Sequence, residues 1–145
     1  MAKFFVSHRK SDSLGTVGRI VDSLLLRARP MDVFFDESSI EPGEAWPDAN
    51  REALLACEFL LVVIGPQWLA AKDEANRRRI DLPGDWVREE IETGLREGKT
   101  VIPVLVEGTK PPRREELPDA LAKLADLQAI RLRPGGGNSG RTSQL

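Results

Sequence analysis

The chain is short of the residues on which several kinds of protein depend. Its 145 residues include one cysteine, Cys57, and one histidine, His8. A lone cysteine excludes an intramolecular disulfide framework and suits a reducing compartment. One Cys and one His at the ends of different predicted elements argue against zinc, which needs several suitable ligands in one place. Charge of one sign is also lacking: 21 Lys and Arg against 23 Asp and Glu leave a net −2. No global surplus therefore favours nucleic acid or an anionic membrane as partner. No apolar run approaches the roughly 20 residues that span a bilayer. The opening run Phe4-Phe5-Val6 breaks at Ser7-His8-Arg9-Lys10, too soon for a signal peptide. These readings predict a cytoplasmic protein. A Gly-x-Ser-x-Gly nucleophile elbow is absent, and Gly15 and Gly18 do not form a phosphate-cradling motif.

What is present is an alternation. Hydrophobic residues make up 41% and charged residues 30%, the balance of an ordinary globular domain. Short apolar runs alternate with helical patterns, which predicts a parallel sheet with crossover helices. Strands are expected at Lys3 to Ser7, Asp32 to Asp36, Phe59 to Ile64, Thr100 to Val106 and, at an edge, Leu127 to Leu132. The run Phe59 to Ile64 is the most continuous, as in a central strand covered on both faces. Helices are expected at Leu14 to Arg29, from Pro47 to Cys57, from Trp86 to Glu97 and at Leu117 to Leu124. In the second of these, Ala49, Ala53, Leu54 and Cys57 form the expected buried face. Asp85 suits the N-cap of the third helix, and Gly98 its end. Residues 70–85 read as a basic surface excursion with one short helical turn. The whole predicts a flavodoxin-like α/β fold of three layers: a five-stranded parallel sheet in the order 2-1-3-4-5, with helices on both faces. Residues 1–132 form the domain; residues 133–145 have the composition of a flexible tail or a linker to a further domain.

In such a sheet, ligands bind at the carboxyl edge. The first strand delivers Ser7, His8, Arg9 and Lys10 there, a cationic group able to hold a phosphate or simply a solvated turn. After Val33-Phe34-Phe35-Asp36 comes a polar loop of roughly nine residues, longer than the usual two to six. It contains Ser39-Ile40-Glu41-Pro42-Gly43 and ends at Trp46, which could stack on a ring or staple the start of the next helix. Trp86 and Glu90 are one turn apart on one helix face. A carboxylate beside an aromatic wall can stabilise positive charge developing on a sugar carbon. The alternative is a core tryptophan and a surface glutamate paired with arginine. Glu89, Glu92 and Glu97 share the helix, so composition does not single out Glu90.

Three blocks together resemble a Toll/interleukin-1 receptor (TIR) domain of the prokaryotic type. They are Phe5-Val6-Ser7-His8 with Asp12, then Val33-Phe34-Phe35-Asp36 through Ser39-Ile40-Glu41-Pro42-Gly43-Glu44-Ala45-Trp46, and Trp86-Val87-Arg88-Glu89-Glu90-Ile91 followed by Val101-Ile102-Pro103-Val104. The resemblance covers residues 3 to about 132 and implies the same flavodoxin-like fold. It also implies one of two activities. Some family members cleave NAD+ at the nicotinamide-ribose bond; others are non-catalytic modules that dock through the loop after the second strand, the BB loop.

For the enzymatic class the resemblance makes Glu90 the catalytic residue and NAD+ the substrate, with no separate cofactor and no metal. Ser7, His8, Arg9, Lys10, Asp36, Ser39, Trp46 and Trp86 would line the substrate, Arg9 and Lys10 near the diphosphate. Ile40, Glu41, Pro42 and Gly43 would form the BB-loop contact with other TIR domains, so self-association is implied, with a fused sensor domain beyond the tail. Three features depart from the common family pattern: the first loop His8-Arg9-Lys10, Gly94 one turn after the glutamate, and the long basic excursion. A nucleoside-processing enzyme of similar fold also fits a lone glutamate, but the Ser39 to Gly43 loop speaks against it.

Overall fold

The computed structural model describes residues 3–9, 19, 33–35 and 46–132. Five strands form one sheet: β1 (Phe4–His8), β2 (Val33–Phe35), β3 (Phe59–Ile64), β4 (Thr100–Leu105) and β5 (Ile130–Arg131). Their order is β2-β1-β3-β4-β5, and every pairing is parallel. This is the expected flavodoxin-like topology. The chain leaves β1 toward β2 on one side and returns to β3 on the other, so β1 and β3 flank the switch point. Ser7 lies opposite Val62 and His8 opposite Val63 in that pair.

Alternation along the strands divides the core in two. Phe5, Leu60, Val62, Ile64, Val101 and Leu105 face one cluster, closed by α1 (Asp48–Ala56) and α2 (Trp86–Arg96) through Leu54, Trp86, Val87 and Ile91. Val6, Leu61, Val63, Val104 and Val106 face the other, with Phe4, Val33 and Ile102 beside them. Leu60 through Ile64 are all buried, as a strand covered on both faces must be. The helix expected over residues 14–29 and the tail at residues 133–145 lie outside the described residues.

Several boundaries differ from expectation. Strand β5 is two residues long because Leu127 ends the preceding helical segment and packs into the first core cluster. The segment Asp119–Asp126 is a 3-10 helix; Leu121 and Leu124, three apart, fall on one side of its three-residue turn and are buried. In α1 the buried stripe runs through Asn50 and Leu54 with Cys57 below, and Ala49 is exposed. The stripe from Trp46 to Cys57 follows the 3.6-residue period, and Ala49 falls one position off it.

The basic excursion is built rather than loose. Lys72 and Arg78 bridge, and Asp73 accepts hydrogen bonds from the backbone of Ala75 and Arg77 and from the Arg77 side chain. Arg78 donates to Asp81 and to the Glu116 carbonyl, and buried Ile80 pins the turn Arg79–Asp81 to the core. Helix α2 packs closely on β3 at Gly94, where a Cβ would stand 2.6 Å from Leu60 Cδ2. Glycine here costs helix propensity but permits that packing distance.

Two outcomes follow from this packing. Alanine at position 94 gains about 1 kcal/mol of helix propensity but overpacks a fully buried leucine, a cost of about 1–3 kcal/mol. Gly94→Ala should therefore lower stability in chemical denaturation, and Leu60→Val should recover part of the loss; a Gly94→Ala chain more stable than the native one contradicts this. Asp73 is held below the usual carboxylate range, first by the Arg77 backbone bond. Its bonds to Ala75 and Arg77 thus support the fold above its unfolded pKa, and that support is lost as pH falls through the lower folded value. The stability gap between the native chain and Asp73→Asn should be present at neutral pH and narrow as the pH falls below about 4; a gap that does not narrow on acidification contradicts it.

Candidate active site

The residues singled out at the sheet edge separate by face. In β1, Ser7 shares the side of Phe5, toward α1 and α2, whereas His8 shares the side of Phe4 and Val6. The structure therefore brings Ser7 and Arg9 toward the α2 side and leaves His8 on the opposite one. Lys10, Asp36, Ser39, Ile40, Glu41, Pro42 and Gly43 lie outside the described residues.

Helix α2 enters at the carboxyl edge, because it follows β3 and runs back to the start of β4. Asp85 caps it: its side chain accepts a hydrogen bond from the Arg88 backbone N–H at 3.1 Å. Trp86 opens the first turn and Glu90 stands one turn on, each 7% exposed. The four glutamates that composition could not tell apart are now distinct. Glu89 is half-buried, Glu92 pairs with Arg88 at 2.6 Å, and Glu97 is exposed beside Arg96. Glu90 alone of the four is buried, facing inward with Val87, Ile91 and Gly94. Burying a carboxylate is costly unless the charge is paired or hydrogen-bonded.

Trp46 is 7% exposed and belongs to the first core cluster. Pro47 occupies the N-cap of α1, so Trp46 precedes the cap and Arg51 is the fourth helical residue. Those are the two positions of a hydrophobic staple. Here the staple is a cation–π contact, with the Arg51 guanidinium 5.5 Å from the Trp46 ring centroid. One ring face of Trp46 is thus occupied. Its Nε1, like the Oγ of Ser7, is buried without a hydrogen-bond partner among the described residues. Two unsatisfied buried donors on the α2 side of the edge are the kind of group a bound polar molecule satisfies.

Arg9 is not a free cation. Its Nη1 donates to Asp85 Oδ1 at 2.7 Å and its Nη2 to Asp85 Oδ2 at 3.0 Å, with both side chains 6% exposed. This two-toothed pair joins the end of β1 to the cap of the helix that carries Glu90. Sequence reading identified the cap but not its partner, 76 residues away. Arg51 fills the second position of the staple spacing, and Asn50 takes the buried place in the first turn of α1 that the helix pattern gives to Ala49. Among the described residues no three His, Cys, Asp or Glu side chains group to hold a metal ion, and no helix is long and apolar enough to cross a membrane. Cys57 is buried and its thiol is pushed up by burial, so it is not poised as a nucleophile.

The five-stranded parallel sheet in the order β2-β1-β3-β4-β5 with crossover helices defines a flavodoxin-like α/β domain, and comparison with known families places the chain in one family of that fold. The family model described as TIR domain matches residues 4–145, and the chain belongs to that family. No curated protein matches it. Among solved structures, it is similar to the TIR domains of the activated Roq1 resistosome that directly recognises the pathogen effector XopQ. The TM-score is 0.66 at 17% identity, over 99% of this chain and 96% of that one. It is also similar to a metazoan TIR-STING receptor from C. gigas in complex with 2′,3′-cGAMP, with a TM-score of 0.62 at 22% identity, over 97% of this chain. This chain spans 38% of that receptor chain. At these identities the likeness is one of fold.

The buried pair has a measurable weight. Asp85→Ala removes both a cap, worth about 1 kcal/mol, and the counter-ion of a buried guanidinium, whose loss costs about 3–5 kcal/mol. Asp85→Ala should therefore destabilise the chain by well over the cap alone in urea unfolding. A loss no larger than the cap's contradicts this, since Arg9 would then be resolvated without cost in the variant.

Proposed function

We propose that the domain is an NAD+ glycohydrolase that cleaves the nicotinamide-ribose bond, releasing nicotinamide and ADP-ribose or a cyclic variant of it. The observation that carries this reading is the burial of Glu90 one turn after Trp86, on the sheet face that also holds Ser7. The family resemblance assigns the catalytic carboxylate to that position.

The chemistry asks little else of the protein. Nicotinamide in NAD+ already bears a positive charge and leaves without protonation. The ribose then acquires oxocarbenium character, and a carboxylate held against it stabilises that charge and holds the hydroxyls. A site of low polarity strengthens the attraction. Trp86 supplies an apolar wall, while Ser7 Oγ and Trp46 Nε1 are groups able to hydrogen-bond the substrate. Water or a second atom of the nucleotide completes the transfer, which is why linear and cyclic products share one intermediate.

We read the activity as switched on by self-association, through the loop at residues 40–43, in bacterial defence or signalling. The Roq1 similarity suits this, since that protein is described as an activated resistosome. The alternative, a non-catalytic module acting through the same loop, has no use for a glutamate buried beside Trp86.

The test is nicotinamide release from NAD+ by the full chain at high protein concentration or on a crowding surface. The native chain should turn over, and Glu90→Gln, which keeps the size and removes the charge, should lose about a hundredfold or more in kcat. Equal turnover in both would remove Glu90 from the chemistry; no turnover in either, under conditions that drive assembly, would favour the docking module.

A further inference from the structure

The resemblance places Arg9 at a substrate diphosphate, yet its guanidinium fork is occupied. We infer that Arg9 is a positioning residue: through Asp85 it fixes the first turn of α2 on the end of β1, and so sets where Trp86 and Glu90 stand. The placement of Glu90 at a catalytic centre rests on the function proposed above; the mechanical role of Arg9 does not.

Both terminal nitrogens of Arg9 point at Asp85 with bidentate geometry, at 2.7 and 3.0 Å, in a place that is 6% exposed on either side. A guanidinium that grips phosphate offers this same fork. Two carboxylate oxygens fill it here, and the pair is neutral as a whole. Only Nε is left without a partner among the described residues.

Asp85 does two things with one oxygen. Its Oδ2 accepts from Arg9 Nη2 at 3.0 Å and from the Arg88 N–H at 3.1 Å. The charge on Arg9 therefore holds the very atom that caps the helix. The Asp85 carbonyl accepts the next amide, from Glu89, at 2.9 Å. The ring of contacts runs from β1 through the ion pair to the cap and the first turn, and Trp86 and Glu90 are among the buried residues of that turn and the next. Exposed ion pairs do not hold a helix end in this way, because water competes for both partners. A buried pair does, and breaking one side strands the other.

The experiment uses the full chain in four forms: native, Arg9→Gln, Arg9→Lys and the double variant Arg9→Gln/Asp85→Asn. Asparagine caps a helix as well as aspartate does, so the double variant keeps the cap and leaves no stranded charge. Amide hydrogen exchange at Arg88 and Glu89 is read against the central-strand amides of Leu61 to Val63. Arg9→Gln should lose about tenfold or more in protection at the helix start, with a much smaller change in the strand. Arg9→Lys, which keeps the charge and loses the fork, should fall between. The double variant should recover most of the protection. In nicotinamide release, Arg9→Gln should lower kcat with KM within about twofold of native, and the double variant should regain most of kcat.

Native protection at Arg88 and Glu89 in Arg9→Gln would overturn the inference. So would a double variant whose helix start is restored but whose KM for NAD+ is raised about tenfold, since Arg9 would then be a ligand group. If the native chain releases no nicotinamide, the proposed activity fails, while the exchange result still decides the role of Arg9.

Discussion

The buried ion pair between Arg9 and Asp85 is the constraint on which the rest of the edge depends. A parallel sheet with crossover helices places each helix start near the strand ends but does not by itself fix the rotation of the helix about its axis. The pair removes that freedom at one point. It fastens the α2 cap to the strand at the switch point, where β1 and β3 part company. At the other end of the helix Gly94 lets the backbone settle against Leu60. Between a charged clamp at the top and a glycine contact lower down, the inward face of α2 is determined, and Glu90 is on it.

Seen this way, the buried glutamate is a consequence of two separate devices. The hydroxyl of Ser7 is likewise turned into the α2 side, where a valine or alanine would serve a plain core. Both groups lie on the sheet face that carries α1 and α2, the face on which the proposed chemistry is placed. Trp46 fits the pattern less directly: its ring is engaged by Arg51 on one face, and its N–H is buried.

Much of this could be read from the chain because its signals are local. The run from Phe59 to Ile64 is apolar throughout, and such a run has few places to go but the middle of a parallel sheet. Asp85 before Trp86 is a helix start on chemistry alone, and Gly98 with its positive φ of 73° is a helix end. What escaped was long-range or a matter of one position. No pattern links Arg9 to Asp85 across 76 residues. Which of four glutamates turns inward depends on helix rotation, which tertiary contacts set. Asn50 displaced Ala49 from the buried stripe because the stripe begins at Trp46, before the helix proper. The short β5 reflects competition: Leu127 completes a helical segment instead of extending a strand that has one neighbour.

The central claim is that substrate meets Glu90 at the switch point while Arg9 stays on Asp85. A crystal structure of the assembled chain with a carbocyclic NAD+ analogue, in which a ring carbon replaces the ribose oxygen so that the bond is not cleaved, tests it most directly. The account predicts the nicotinamide-bearing ring against Glu90 and Trp86, on the α1 and α2 side of β1, with the Arg9–Asp85 pair intact. A ligand bound on the His8 face, or a diphosphate that draws Arg9 away from Asp85, would contradict it.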